Sequence, residues 1–221
     1  MPFHPSRPQD PVSTAAGTRP LRWLLVAAAT AALVACGGGG DGGGDGGASA
    51  SAISSAQIPD LSGVAGLPRP SAICTGALRN DVLAYVNAYR AAGATCKKDG
   101  KFTTYAPATA LQWHDGLEAA ARAHSQAMID TDEFAHEVTG EARLGPRIAA
   151  AGYAYASARE NIAAGRIYGD VATVVAAWMH SETGHCDNIM AGDLQHVAVA
   201  CLPGNPTNRY ENYWTMDLGR L

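Results

Sequence analysis

The chain has 221 residues, 47 % of them hydrophobic, with 16 Lys and Arg against 20 Asp and Glu and a net charge of −4. From Cys36 onward thirteen scattered cations face nineteen anions, with no basic run. Neutralising phosphates is what drives nucleic-acid binding, so the composition argues against a nucleic-acid partner.

Arg19 and Arg22 precede an apolar stretch from Trp23 to Ala35. A charged n-region, a short apolar region and small residues before a cut describe a secretory signal over residues 1–35. The stretch is shorter than the ~18 uninterrupted apolar residues that argue for a membrane span. Its end, Leu33-Val34-Ala35-Cys36, resembles the lipobox of bacterial lipoproteins, which implies that Cys36 is lipidated and anchors the chain to a membrane. A Gly/Asp tract and a Ser/Ala-rich segment follow, and residues 36–73 read as a flexible tether because glycine maximises backbone entropy and buries nothing. Residues 74–221 are enough for one domain with a single core.

Within that domain residues 79–92 read as a helix, with Val82, Tyr85, Val86 and Tyr89 on one face and Gly93 as its end. Residues 115–131 make a second helix, with Leu117, Ala120, Ala121, His124 and Met128 on one stripe. A short third spans 144–151 and stops at Gly152. Asp170 is placed to cap a fourth helix, in which Val171, Val174, Val175 and Trp178 recur at helical spacing. Strands are expected at 161–164, 196–201 and 213–218, the second with Val197, Val199 and Cys201 alternating with smaller residues as in a half-buried strand. Helices interleaved with few, late strands point to an α+β layered domain.

With Cys36 assigned to lipid, Cys74, Cys96, Cys186 and Cys201 remain, and an even count in an exported domain suggests two disulfides. Four cysteines allow three pairings. Cys74–Cys96 and Cys186–Cys201 join nearest neighbours and are the expected pair. No C-x-x-C pair supports a four-cysteine zinc site.

The chemistry-bearing residues cluster between His136 and Met190. His136, Glu160 and His185 lie on separate segments, and imidazole and carboxylate are the groups that ligate metals or move protons. Glu160-Asn161 can equally satisfy backbone donors across loops. Trp178 reads as core and Asn188 as pinning a turn. His114, His124, His180 and His196 show no partner at ligand spacing and read as structural or solvent-facing. Ser181 lies near His185, but no Gly-x-Ser-x-Gly elbow frames it, which argues against a hydrolase triad.

A series of short motifs then runs in order. It comprises Leu111-Gln112-Trp113-His114-Asp115-Gly116-Leu117, Phe134-Ala135-His136, Arg147-Ile148 with Ala151-Gly152-Tyr153, and Glu160-Asn161-Ile162-Ala163. Trp178 with Ser181, Gly184-His185 with Asn188-Ile189-Met190, and Tyr213-Trp214-Thr215-Met216-Asp217-Leu218-Gly219 complete it. Together they resemble the CAP superfamily of cysteine-rich secretory, antigen 5 and pathogenesis-related proteins, whose module is also called the SCP domain. The resemblance implies a three-layer α-β-α sandwich with a central antiparallel sheet. It also implies a cleft of two histidines and two acids, to which His136, Glu160 and His185 correspond. The second acid is missing, because Ser181 stands in its place. Glu182 follows, and at about 100° per residue it turns toward the buried side if the helix runs that far. Arg159 stands where the family often has glycine and can crowd the cleft or pair with an acid.

With the lipobox-like end at Cys36, the reading is an envelope lipoprotein presenting one CAP domain outside the cytoplasm. Its expected function is non-enzymatic binding, with a cleft able to hold zinc or another divalent metal, or a lipid-like or protein ligand. The other reading is a metal-dependent hydrolase with Glu160 as base. If Glu160 joins the two histidines as a ligand, no carboxylate is assured for that role.

Overall fold

The computed structural model describes residues 55–68, 74 and 78–221. The expected signal, Cys36 and the glycine tract lie outside them. Among these residues five helices, α1 (Leu78–Ala92), α2 (Asp115–Thr131), α3 (Leu144–Ala150), α4 (Val171–Met179) and α5 (His185–Met190), are interspersed with six strands. The strands are β1 (Ala94–Lys98), β2 (Lys101–Tyr105), β3 (Gln112–Trp113), β4 (Ser157–Ala164), β5 (His196–Pro203) and β6 (Asn212–Arg220).

The helices expected from periodicity are present, and the caps explain their bounds. The Asp170 side chain accepts from the Thr173 amide at 2.7 Å and starts α4. Gly93 ends α1 at φ 75°, where a Cβ would sit 2.9 Å from the Tyr105 carbonyl oxygen, so only glycine fits this exit. The β1–β2 hairpin was not expected. Its signal was present in Asp99-Gly100, both at positive φ, the pairing that a two-residue primed turn demands.

The central sheet has the order β3-β5-β6-β4. β4, β6 and β5 pair antiparallel, whereas the two residues of β3 pair parallel to β5, so the sheet is mixed at one edge rather than wholly antiparallel. Side-chain alternation divides the core into two layers. Val197, Val199 and Cys201 of β5 and Trp214, Met216 and Leu218 of β6 pack with α1, α4 and α5. On the opposite face Ala198 packs with Leu117, Ala120 and Ile148, and Tyr213 with Met128 and Ile129. The result is the three-layer α+β sandwich. Trp178 is core, its indole N–H donating to the Ile162 carbonyl at 3.1 Å.

The disulfide and tether expectations fail. The cysteines pair as Cys74–Cys201 and Cys96–Cys186, not as Cys74–Cys96 and Cys186–Cys201. Cys186 opens α5, which lies against β1 and therefore meets Cys96. Cys201 lies far along β5, beside the approach to α1 where Cys74 stands, with Cα atoms 4.9 Å apart. Residues 55–68 are not tether but part of the folded unit. Gln57 exchanges backbone hydrogen bonds of 2.9 and 2.8 Å with Thr95 on the open edge of β1. Ile58 and Leu61 pack on the main core. Tyr85 donates to the Pro68 carbonyl at 2.9 Å.

Candidate functional site

The site is built around the edge strand β4, whose consecutive residues Glu160 and Asn161 point to opposite faces of the sheet. Glu160 faces the α2 layer and is 2 % exposed at its side chain. His136, in the loop after α2, donates from Nδ1 to Glu160 Oε1 at 2.8 Å, and Arg147 of α3 binds Glu160 Oε2. Arg147 also reaches Glu141 Oε2 at 3.1 Å. His124 of α2 donates to the same oxygen at 2.6 Å and brings its Nε2 to 3.7 Å from Glu160. Burial alone would raise the Glu160 pKa. The His136 hydrogen bond and the positive charges of His124, Arg147 and His136 outweigh it and hold the carboxyl below its ordinary value.

Asn161 works on the other face. Its amide donates to the His185 carbonyl at 3.2 Å, while Asn188 donates to Asn161 Oδ1 at 2.8 Å and to the Glu160 carbonyl at 3.1 Å. Gly184, at φ 101°, makes the turn into α5 that delivers His185. Burial, aided by the charge of His136, pushes the His185 pKa down to about 4. His136 is thus tied to β4 through Glu160 on one face of the sheet, and the backbone of His185 through Asn161 on the other.

The depressed His185 pKa predicts acid sensitivity. The unfolded imidazole, near 6.5, takes up a proton that the folded one refuses, so stability present above about pH 6.5 is lost as the pH falls toward 4. Melting temperatures across that window are expected to fall less in His185→Gln than in the parent. Equal slopes would overturn the assignment.

The other candidates lie elsewhere. α4 ends at Met179, so Glu182 does not turn inward; it is 60 % exposed and pairs with Lys97 at 2.8 Å. Ser181 shares a 2.8 Å hydrogen bond with Thr183. Arg159 reaches Asp193 at 3.3 Å. His114 caps α2 by accepting from the Gly116 amide at 3.0 Å, and His196 meets the Tyr153 hydroxyl at 2.9 Å.

Sequence reasoning missed three members of the network. Arg147 entered only as part of a motif, Glu141 not at all, and Asp217 only as a strand and motif residue with no role of its own. Asp217 is the direct cross-strand partner of Glu160 and is wholly buried. Its signal was legible: a carboxyl in a strand whose alternate residues, Trp214, Met216 and Leu218, are apolar, on the same face as Thr215.

The family model described as CAP, the cysteine-rich secretory protein family, matches residues 83–218. The chain belongs to that family. A relative of this CAP chain is YkwD of Bacillus subtilis (strain 168), described as uncharacterized. It is 37 % identical over 89 residues, which are 40 % of this chain and 34 % of that protein. A solved structure of an extracellular SCP-domain protein from Bacillus anthracis str. Ames is 25 % identical with a TM-score of 0.44, over 52 % of this chain and 35 % of that one. An outer surface protein from Borrelia burgdorferi is 20 % identical with a TM-score of 0.44, over 51 % of this chain and 79 % of that one. The chain thus spans about a third of the two Bacillus proteins it matches.

The CAP cleft fits a metal only in part. Among the described residues no group of three or more His, Cys, Asp or Glu is arranged to hold an ion. Glu160 is buried with one oxygen on His136 and the other on Arg147, which leaves it the role of orienting His136 rather than of a ligand. The two imidazoles remain. His136 commits Nδ1 to Glu160, its side chain is 54 % exposed, and no described residue bonds its other ring nitrogen; His185 is held in the neutral, ligating form.

Proposed function

We propose that this CAP chain is a non-enzymatic binding module of the cell envelope, held to a membrane by lipid on Cys36, whose recognition site is the His136–His185 cleft at β4. The observation that carries this reading is the state of Glu160, whose carboxylate is buried and engaged at both oxygens. A general base must reach the proton it abstracts, and Glu160 presents no oxygen to a water. The hydrolase reading therefore lacks its base.

The two imidazoles hold a divalent cation such as zinc weakly, because two nitrogens leave positions open that a closed structural site would fill. Calorimetric titration of the wild-type domain with zinc should show binding that is lost in the His136→Ala, His185→Ala double variant. Removing the ion with a chelator should leave the domain folded. Equal affinity in wild type and double variant would refute the metal reading.

A lipid-like ligand has separate support in a groove of about 580 Å³ between α2 and α3, lined by Ala120, Ala123, Ala127 and Ala150 with Asp130, Glu141 and Arg147. Native mass spectrometry of the protein taken from its own envelope would weigh a retained lipid directly, and a bare mass would count against it.

The anchor is tested through Cys36→Ser. This variant should move from the membrane to the soluble exported fraction, and a wild type that partitions as a soluble protein in detergent phase separation would refute the lipid.

A further inference from the structure

Asp217 lies in the middle of β6 at 0 % exposure, and neither of its oxygens receives a hydrogen bond from a described residue. It is the direct partner of Glu160 across the β4–β6 ladder, where facing Cβ atoms lie about 4.5–5.5 Å apart, so the two carboxyls share one space. Two ionised carboxylates cannot share that space, because neither offers a proton and both repel. Glu160 already has His136 and Arg147 to stabilise its charge, whereas Asp217 has no donor. The proton therefore belongs on Asp217.

We propose that Asp217 is a positioning residue of the cleft: its protonated carboxyl donates to Glu160 and sets the orientation in which Glu160 holds His136. This rests on reading the His136–His185 cleft as the binding site. The charged and polar groups around Asp217 are Glu160 on β4, Arg147 on α3, Glu141 in the loop before α3, His124 and Ser125 on α2, and Thr215 on its own strand. Burial, then the charge of Glu160, raise its pKa well above the ordinary aspartate value.

A raised folded pKa contributes stability that is full below the unfolded value of about 3.9 and is lost as the pH rises through the folded one. Asparagine donates a hydrogen bond without needing a proton. Asp217→Asn should therefore melt higher than wild type at neutral pH, with the gap closing toward about pH 4. Carbon NMR of the wild-type domain should show the Asp217 carboxyl still protonated at neutral pH. Nitrogen NMR should show the His136 Nδ1–H hydrogen bond kept in Asp217→Asn and lost in Asp217→Leu. An Asp217 resonance titrating near the ordinary value, or a His136 signal identical in the Leu and Asn variants, would overturn the proposal. A wild type that binds no zinc while Asp217 keeps its proton would defeat the metal reading and support this one.

Discussion

Replacing Cys96 and Cys186 together with alanine is expected to lower the unfolding free energy by about 2–5 kcal/mol, the usual cost of losing a native disulfide in a small exported domain. The bond spans a separation of 90 residues, long enough that in the chain-entropy view it removes much freedom from the unfolded chain. It also has a local consequence. Cys186 follows His185 at the start of α5, and its partner lies on β1, so the bridge ties the cleft histidine to the β1–β2 hairpin. Urea denaturation of the double variant tests the energy. Zinc titration tests the local effect, with weaker binding expected even where the fold survives. Peptide mapping without reduction should recover Cys96 joined to Cys186 and Cys74 joined to Cys201; a Cys186–Cys201 peptide would overturn both the pairing and the argument.

Arg147→Met is expected to be as damaging, by about 3–5 kcal/mol, because it strands two carboxylates in the interior. Arg147 is 5 % exposed at its side chain and bonds both Glu141 and Glu160, the latter 2 % exposed. Methionine fills much of the volume but supplies no donor, so the cost is that of uncompensated buried charge rather than of a cavity. Adding Glu160→Gln should restore part of the loss, since one of the stranded charges is then gone. A double-mutant cycle in urea measures that coupling. A loss below about 1 kcal/mol for Arg147→Met would place the pair among exposed ion pairs and contradict its burial.

The helices were legible in the sequence wherever one face of a periodic segment had to be buried. Val82, Val86 and Tyr89 predicted α1, Leu117 to Met128 predicted α2, and Val171 to Trp178 behind the Asp170 cap predicted α4. The three long strands were legible, β5 by the alternation of Val197, Val199 and Cys201, though each runs on past the expected residues because the ladder pairs its flanks as well. His136, Glu160 and His185 stood out because their motifs occur in order along the chain.

What the sequence could not supply were partners. Which cysteine meets which depends on α5 lying against β1 and on how far along β5 Cys201 falls, not on spacing. Glu182 was a candidate only while the end of α4 was open, and the structure ends the helix at Met179. The Glu160–Asp217 encounter exists because β4 and β6 pair in one register, and a slip of a single residue would turn Asp217 to the other face. Arg147, Glu141 and His124 join it only because α3 and α2 pack over the same strand. Local periodicity, which depends on near neighbours, was therefore determined by the sequence itself. The charge network that sets the state of the cleft was decided by contacts between distant segments, and those exist only once the layers are assembled.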